Sequence, residues 1–558
     1  MMDENLKIDN EPKLQDLPLK EAPPIQNKIS WTWLLLLCLA LGGVMAAVTY
    51  KQRAGMQWLI FVVLFELCFF VFALIRKNQI PLSSVFLALI NALIASITVF
   101  RTESFTTVLA VLSNLVGLGL LAGTFLNGQW LVYRLREYIV EAIRLALSML
   151  GGFFRLGFKD ETEISNVQFK TDASKNLKTL KPYLIGFLIA LPILLIFGTL
   201  FASADPVFAE KSQALFSWIH IENLRDLVIP LIQAVIIAYI SFGAITFAFT
   251  RGALNQKVSP DQPLFKPFLG ITESMVVLVL LNVLFASFLF IQFKYFFGGG
   301  QNINISGYTY SEYARKGFFE LLTVALFAGS LHWGLNALTS REHPRQKISF
   351  ALGFTLLYIQ VAVVLVAAFN RMQLYVKAYG LTQERLLPQI FMIFLGLILL
   401  ALLVMEWHKH FDRVAIVLTL SLLIFTAVVA GMNVDHNIAS YNLQLANTSG
   451  KLDGSFAVER LSADAVPVLF EAYDDKALPN ELHETLGKVL ACKAARLGSR
   501  IDTQQPWFAT NLIDARVKNL FVTHRLELAQ YTFESGDGGS GFQFAEGFVF
   551  CDFSYNSD

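Results

Sequence analysis

Carboxylates inside apolar stretches are the residues of this chain whose chemistry is most informative. Glu66 lies near the middle of the apolar stretch Met56–Ile75, and Glu320 lies about one turn inside another, Phe318–Leu338. A carboxylate in hydrocarbon is expensive unless a basic group compensates it or a water-filled cavity receives it. Each position therefore predicts either a structural ion pair or part of a proton or ligand site.

A charged and aromatic segment, Tyr308–Glu320, leads into the second of these stretches. It contains Glu312, Arg315 and Glu320 at three- to five-residue spacing, so opposite charges fall near one another on a helix. One interpretation is a charge-paired helix entry with tyrosines at the membrane interface. The other is that Glu320 faces an internal cavity with a basic partner, and the sequence leaves both open.

A second polar constellation follows the stretch Ile348–Asn370. Arg371, Tyr375 and Tyr379 are four residues apart and share a helix face, and Arg385 follows after a turn. The pattern predicts a helix–turn–helix that extends beyond the membrane surface. The two arginines are either ligands for an anionic headgroup or phosphate, or interfacial residues whose charged ends reach water.

No cofactor and no metal is predicted. The cysteines lack the paired spacing of a zinc site, since they are Cys38, Cys68, Cys492 and Cys551. The group His408, His410 and Asp412 fits a solvated loop better than a metal site. Phosphate-binding loops, paired zinc histidines and the nucleophile elbow of hydrolases are all missing from the sequence.

Composition places the chain among membrane proteins, because 55% of its 558 residues are hydrophobic and only 16% are charged. A net charge of +1 without a basic domain argues against nucleic-acid binding. The continuous apolar runs predict an all-α, polytopic helical membrane bundle of about eleven transmembrane helices. We place them at Trp31–Tyr50, Met56–Ile75, Leu82–Phe100, Thr106–Leu126, Tyr183–Phe201, Leu227–Thr250, Ile271–Phe297, Phe318–Leu338, Ile348–Asn370, Leu386–Glu406 and Val414–Met432.

Orientation follows from the connecting loops, where a cytoplasmic N-terminus gives the inner loops about twice as many Lys and Arg residues as the outer ones. The polar sequence after Met432, here called the tail, then lies outside the cytoplasm. There Cys492 and Cys551 are either a disulfide or two free thiols. We interpret Trp130–Leu150 as an interfacial helix on the cytoplasmic surface, because its charges form one polar stripe.

These assignments divide the chain into a cytoplasmic segment, four spans, an interfacial helix with a loop, seven spans and an external domain. The boundaries are 1–30, 31–126, 127–182, 183–432 and 433–558. The tail has helix-capping residues and apolar periodicity, so a small helical domain is predicted. From Glu534 onward a glycine-rich run predicts disorder or loose packing.

Several motifs in one order resemble a bacterial membrane family known as domain-of-unknown-function family 4173, which is related to family 4153. They are Phe201–Phe208, Tyr310–Leu322, Asn370–Arg385, Asp435–Asn442 and Leu461–Pro467. The resemblance covers roughly residues 178 to 520 and implies an integral protein of the bacterial cytoplasmic membrane. It carries no agreed activity.

Three functions remain open. The leading hypothesis is a non-catalytic envelope protein that moves or binds a small, anionic or lipidic ligand, or is a transport or signalling accessory. The alternative is an intramembrane enzyme acting on lipid or envelope-polymer precursors, with Arg371 to Arg385 around the substrate and Asp205 or Glu312 as acid or base. The third is a scaffold that recruits partners through the tail. Membrane lipid is an expected partner in each case, and protein partners are unknown.

Overall fold

The computed structural model describes residues 31–50, 55–159, 221–251, 267–297, 318–501, 511–536 and 539–552, and also residues 201, 205, 207, 208 and 211. Apart from Phe201, the predicted span Tyr183–Phe201 lies outside the described residues. So do two of the candidate site residues, Glu312 and Arg315.

The apolar stretches form helices because a helix satisfies its own backbone polar groups in hydrocarbon. Within the described residues, nine helices are long and apolar enough to cross a membrane, and a tenth has a shorter apolar stretch, Trp33–Thr49. The predicted fold class, an all-α polytopic membrane bundle, is confirmed. The bundle helices are α1 (Trp31–Thr49), α2 (Met56–Ile75), α3 (Leu82–Phe100), α4 (Ser104–Thr124), α5 (Leu135–Lys159), α6 (Ile221–Arg251), α7 (Ile271–Phe297), α8 (Phe318–Leu338), α9 (Pro344–Tyr379), α10 (Gln383–Trp407) and α11 (Val414–Met432).

The ends of the helices lie at two opposite faces of the bundle. At one, here called the tail face, Arg101 Nε donates to Ala430 O at 2.8 Å, which joins the end of α3 to the end of α11. At the opposite face, Trp130 Nε1 donates to Ser83 O at 3.1 Å, which joins the segment after α4 to the start of α3. Helices that follow one another in the chain therefore alternate in direction, as a membrane bundle with short connections requires.

Helix α5 differs from its prediction. Leu145 packs on Gly119 of α4, Ser148 Oγ donates to Gly243 O of α6 at 3.1 Å, and the Tyr239 hydroxyl donates to Leu150 O. Residues progressively later in α5 thus contact residues progressively earlier in α6. The helix therefore runs along α6 in the antiparallel direction, and the prediction that it lies flat on the surface is wrong.

The charges of α5 explain why this position is tolerated. Four of them, Arg136, Glu137, Glu141 and Arg144, lie in its first half, near the opposite face, where the Glu137 carboxylate accepts from Arg134 N at 2.9 Å. Further along, Arg144 and Glu141 form an ion pair at 2.6 Å. The sequence from Leu145 to Met149 is apolar except for Ser148, whose hydroxyl is satisfied by α6. The ion pair neutralises part of the polar stripe, although the side chain of Arg144 remains exposed.

Small residues and aromatic rings build the bundle core. At Gly42 a Cβ atom would stand 2.2 Å from Ala234 O, so only glycine allows α1 and α6 to approach this closely. Phe69, Phe125 and Phe249 stack edge to face or at a tilt where α2, α4 and α6 meet. A separate apolar cluster unites α7 to α10.

The tail begins directly after α11 and consists of helices and a small sheet. Its helices are α12 (Val434–Ser449), α13 (Gly454–Glu459), α14 (Val466–Tyr473), α15 (Asn480–Ile501), α16 (Leu512–Thr523) and α17 (Arg525–Leu528). Three antiparallel strands follow in the order β1 (Glu534–Gly536), β2 (Gly539–Phe544) and β3 (Gly547–Asp552).

The sheet contradicts the predicted looseness of the glycine-rich end. Phe542, Phe544 and Val549 are buried against the tail helices. At Gly541 a Cβ atom would stand 2.0 Å from Val549 O, so glycine here allows the close pairing of two strands. A disulfide joins Cys492 of α15 to Cys551 of β3, with 4.8 Å between the Cα atoms.

Candidate functional site

A buried carboxylate attaches the tail to the α3–α4 turn. Asp464 is 1% exposed, and its Oδ2 accepts from Thr102 N at 2.8 Å, Glu103 N at 2.9 Å and Thr102 Oγ1 at 3.0 Å. Ser462 caps the short helical turn that carries Asp464. The Ser462 hydroxyl accepts from the backbone N of Asp464 at 3.2 Å. The carboxylate therefore lies at the N-terminus of α4, where unpaired N–H groups and the helix dipole favour negative charge.

The same helix start has a cap of its own. Glu103 precedes α4, and its carboxylate accepts from Phe105 N at 2.6 Å and Thr106 N at 2.7 Å. Burial raises the pKa of Glu103, while these hydrogen bonds oppose the rise and the charge of Asp435 adds to it. Glu103 thus caps the first turn of α4, and Asp464 binds the backbone N–H groups of the two residues just before that helix.

A second buried carboxylate fixes the start of the tail. Asp435 is fully buried, and it accepts from Gln383 Nε2 of α10 and from Ser462 N, both at 2.7 Å. Asn442 lies two turns further along α12 and exchanges hydrogen bonds of 2.7 and 2.8 Å with the backbone of Leu381. The turn between α9 and α10 is therefore held against α12 through side-chain contacts.

A third attachment comes from late in the chain. Asn511 caps α16 through Ile513 N at 2.9 Å and donates to Thr98 O at 2.9 Å and Arg101 O at 3.0 Å. We call the set Glu103, Asp435, Asn442, Asp464 and Asn511, with the backbone groups they bind, the junction. It connects the tail to the ends of α3, α4, α9 and α10.

A buried lysine lies next to the junction. Lys493 is 3% exposed and donates to Leu461 O at 2.7 Å and to Val458 O at 3.4 Å. Burial lowers its pKa to about 8, although the negative charge of Asp435 opposes that shift. The residue follows Cys492 directly, so the disulfide and the buried cation occupy the same turn of α15.

The opposite face carries a second buried polar group, which we call the ionic cluster: His332, Asn336, Arg341, Tyr358 and Glu406. Arg341 Nη1 pairs with Glu406 Oε1 at 2.5 Å, while Asn336 Nδ2 donates to Glu406 Oε2 and His332 Nε2 lies 3.4 Å from that atom. His332 Nδ1 and the Tyr358 hydroxyl share a hydrogen bond of 2.7 Å. The carboxylate is thus fully compensated, as a buried charge requires.

The sequence did not predict this cluster as a site. His332 and Asn336 lie one helical turn apart inside a predicted span, where single polar residues are ordinary interhelical contacts. Glu406 was only the end of a predicted span, and Arg341 belonged to a short connection. The signal available was that a histidine, an asparagine and an arginine follow one another at four- and five-residue spacing toward the end of a span.

Glu66, the foremost predicted residue, is buried in the first half of the bundle. It is 5% exposed beside Asn91, and its Oε1 has no hydrogen-bond partner among the described residues. Asn91 O accepts from Asn114 Nδ2 at 2.8 Å, and Asn114 Oδ1 accepts from Trp58 Nε1 at 3.0 Å. Glu66 therefore lies at the end of a short polar chain that connects α2, α3 and α4.

Glu320 and Asp205 do not form a common site with Glu66. Glu320 is exposed on the first turn of α8, which packs in a different apolar cluster. Asp205 is exposed and accepts from Val207 N at 2.8 Å in a local turn. The interpretation of Glu320 as facing an internal cavity is wrong, because its side chain points outward.

The structure brings together only part of the predicted group Arg371, Tyr375, Tyr379 and Arg385. Arg385 Nη1 donates to Tyr379 O at 2.8 Å and Gly380 O at 2.6 Å, and its guanidinium lies 4.2 Å from the ring centre of Tyr375. Arg371 is half-buried two turns earlier on α9. The Arg385 cation thus satisfies the C-terminal carbonyls of α9, which is a structural role.

One group of possible metal ligands occurs among the described residues. Asp474, His524 and Glu527 place three ligand atoms within 4.8 Å of one another on the tail surface. The His408 ring, interpreted from the sequence as part of a solvated loop, is exposed and bonds Val404 O.

Taken together, the helices and the junction define a polytopic α-helical membrane protein with a folded C-terminal tail attached to one face. The chain belongs to the family described as Domain of unknown function (DUF4153), whose model matches residues 85–472. The matched region contains the carboxylates of the junction and the whole ionic cluster, and it excludes Glu66, Lys493 and the disulfide. No curated protein and no solved structure matches the chain.

Proposed function

We propose that this protein is a non-catalytic accessory of the bacterial cytoplasmic membrane, in which an external tail receives a signal or partner and passes its state to the helix bundle. The junction is the observation that carries this proposal. Its carboxylates Asp464 and Asp435 bind the α3–α4 turn and the start of α10, so the tail is not a flexibly tethered domain. A tail that only anchors a partner needs no such attachment.

The proposed orientation places the N-terminus in the cytoplasm and the tail outside it. The nine basic residues of the described opposite-face connections support this by a small margin over eight at the tail face. Those eight are Arg101, Arg155, Lys159, Arg225, Lys294, Arg371, Lys377 and Arg385. The opposite-face residues are Arg76, Lys77, Arg134, Arg136, Arg341, Arg345, Lys347, Lys409 and Arg413. The disulfide supports it independently, because such bonds persist in oxidising compartments.

Within the relationship to DUF4153, we propose family 4173 as the more specific assignment of this chain. Its support is the set of ordered motifs given above, of which Asp435–Asn442 and Leu461–Pro467 include the two central carboxylates of the junction. Two of the five motifs thus coincide with the attachment of the tail.

The test is to weaken the junction without removing the tail. Spin labels at Lys409→Cys, on the opposite face, and Glu481→Cys, on the tail, report the distance between the two parts in the full-length protein. Asp464→Asn removes the charge that two backbone N–H groups bind, so we expect a broadened distance distribution and loss of complementation in a deletion strain. Glu471→Gln, an exposed tail carboxylate, is the matched control and is expected to change neither.

Two outcomes oppose the proposal. If Asp464→Asn broadens the distance and the variant still complements the deletion strain, attachment is not needed for function. If deletion of residues after Asn433 leaves function intact, the tail contributes nothing, and the scaffold interpretation fails with it.

The enzyme alternative has less support. Of its proposed groups, Arg385 is engaged with backbone carbonyls and Asp205 is engaged in a surface turn. Conversion of a labelled envelope lipid by the purified protein is the result that would favour it.

A further inference from the structure

A histidine and two carboxylates meet on the surface of the tail, which lies outside the membrane bundle. Asp474 follows the last residue of α14, His524 lies between α16 and α17, and Glu527 belongs to α17. We call these three residues the tail cluster. One ring nitrogen and one oxygen of each carboxylate lie within 4.8 Å of one another. Imidazole nitrogen and carboxylate oxygen are common ligands of divalent transition metals, so the tail cluster has the donor atoms of a metal site.

The hydrogen bonding of His524 leaves its second nitrogen facing a carboxylate. His524 Nδ1 lies 3.0 Å from Leu520 O, and because a carbonyl oxygen can only accept, Nδ1 carries a proton and donates it. The other nitrogen, Nε2, lies 3.3 Å from Asp474 Oδ1. In a neutral ring Nε2 is an acceptor, and here it faces a second acceptor. Either another proton on the ring or a metal ion must therefore lie between these two atoms.

Residues outside the tail cluster hold the histidine ring in this orientation. The ring packs on buried Phe470 of α14, with 4.5 Å between the two ring centres. Phe470 and Asp474 are one helical turn apart, so the same helix supports the ring and carries the carboxylate. A backbone carbonyl bonded to Nδ1 is also a usual outer partner of a metal-binding histidine, because it fixes the tautomer and the ring. The nitrogen that would bind a metal is therefore already aimed at the carboxylate.

The second carboxylate distinguishes between a proton and a metal ion. A proton shared by His524 and Asp474 needs only those two groups, whereas Glu527 brings a further negative charge to the same place. Among the described residues, no lysine or arginine forms an ion pair with either carboxylate. The tail cluster thus keeps a net negative charge even when the ring is protonated. With a neutral ring, one divalent ion balances the two carboxylates, which favours the metal.

The distances fit a single ion. Two ligand atoms of one tetrahedral Zn²⁺, each about 2.1 Å from the metal, are about 3.4 Å apart. The 3.3 Å between His524 Nε2 and Asp474 Oδ1 agrees with this separation. Glu527 is exposed and follows His524 by one helical turn, so a change of rotamer can bring its oxygen to the same distance. Three protein ligands leave one coordination position for water, which the exposed surface supplies.

We infer that Asp474, His524 and Glu527 form a binding site for a divalent transition-metal ion, with Zn²⁺ as the ion to test. The imidazole favours such an ion over Mg²⁺ and Ca²⁺, which prefer oxygen ligands. The ion joins the end of α14 to the end of α16. Both helices begin at the junction, because Asp464 precedes α14 and Asn511 caps α16. The inference does not depend on the accessory role proposed above, since metal binding is measured directly.

The experiment titrates the full-length, untagged protein in detergent with Zn²⁺ or Mg²⁺, using isothermal titration calorimetry after a chelator has removed bound metal. We expect one Zn²⁺ per chain and binding of Mg²⁺ that is weaker by at least about tenfold, because Mg²⁺ gains little from the imidazole. Saturating Zn²⁺ should also raise the melting temperature of the tail by several degrees, because the ion binds the folded tail and not the unfolded one.

Three variants remove one ligand each. Asp474→Asn and Glu527→Gln replace a carboxylate with an amide of the same shape, and His524→Asn removes Nε2 while keeping an N–H donor in place of Nδ1. Each should weaken Zn²⁺ binding by at least about tenfold and abolish the rise in melting temperature. The matched control is Asp475→Asn, an exposed carboxylate that bonds Ala477 N and is not part of the tail cluster. It should change the affinity by less than about threefold, because it acts only through a screened charge.

Three results would overturn the inference. The first is that the wild-type protein binds no Zn²⁺, which leaves His524 and Asp474 as an ordinary ion pair. The second is Zn²⁺ binding that His524→Asn does not weaken, because the ion then occupies another site. The third is an affinity that Glu527→Gln does not change, which rules out the three-ligand site. Glu527 is exposed, so this last variant is expected to fold and keeps the test decisive.

Discussion

The buried Lys493 makes the stability of the tail depend on pH in a direction that can be worked out. Its pKa is about 8 in the folded tail, compared with the usual 10.5. Between these values the unfolded tail binds a proton that the folded tail has released, so the free energy of unfolding rises with pH. Below about pH 8 the folded protein retains the full penalty of burying the cation.

The expected gain follows from the two pKa values. Raising the pH from about 7 to about 9.5 should relieve about 2 kcal/mol of the roughly 3 kcal/mol penalty that a shift of this size represents. In a domain of this size, that gain corresponds to a rise of several degrees in the melting temperature. Lys493→Met removes the titrating group and leaves Leu461 O without a donor, a cost that does not vary with pH.

Calorimetry of the full-length protein in detergent provides the assay. The tail transition is identified as the one that reductant shifts, since the disulfide lies in the tail. The quantity of interest is the difference between the wild-type protein and Lys493→Met at each pH, which cancels the titration of all other groups. A difference that stays constant from pH 7 to 9.5, or that grows in the opposite direction, refutes the argument.

Three further predictions concern other parts of the fold. Replacing both disulfide cysteines, Cys492→Ser with Cys551→Ser, should lower the free energy of unfolding by about 4 kcal/mol for a closed loop of this length, and reductant should then have no further effect on the melting temperature. Glu406→Gln should cost about 3 kcal/mol in thermal unfolding because the cation of Arg341 loses its partner, and adding Arg341→Met should restore much of the loss; a double variant as unstable as the single one contradicts this. Gly117→Ala should destabilise the bundle by about 1–3 kcal/mol because its Cβ would stand 1.8 Å from Asn91 Oδ1. The matched change Gly43→Ala meets no atom within 4 Å and should be neutral or slightly stabilising, so equal melting temperatures for the two variants would refute the packing argument.

Features that depend on local sequence could be predicted. Continuous apolar runs give the positions of the bundle helices, because backbone N–H and C=O groups in hydrocarbon must hydrogen-bond to one another. The start of α9 was missed, because the helix begins at Pro344 and not at the predicted Ile348. The polar residues of this first turn lie outside the apolar run, where hydropathy gives no signal. The other end, at Tyr379, agrees with the predicted helix that extends beyond the membrane surface.

The errors arose where partners are distant in sequence. Helix α5 was interpreted from its own charges, although Ser148 is satisfied by Gly243 O of α6, ninety-five residues later. The junction has the same origin, because the Asp464 carboxylate binds Thr102 N across 362 residues. No spacing rule within one segment can reveal such a pair. The strands at the glycine-rich end did leave a local signal, since Phe542 and Phe544 are both buried on either side of the exposed Gln543.

The contact between Asp464 and the start of α4 also constrains how the protein is made. Synthesis must proceed through more than 360 further residues after Thr102 before the carboxylate that binds the α3–α4 turn exists. Glu103 can cap α4 as soon as that helix forms, but the N–H groups of Thr102 and Glu103 gain their Asp464 partner only when the tail is made. This contact of the amino-terminal half therefore forms late in synthesis, and a chain that stops before Asp464 lacks it.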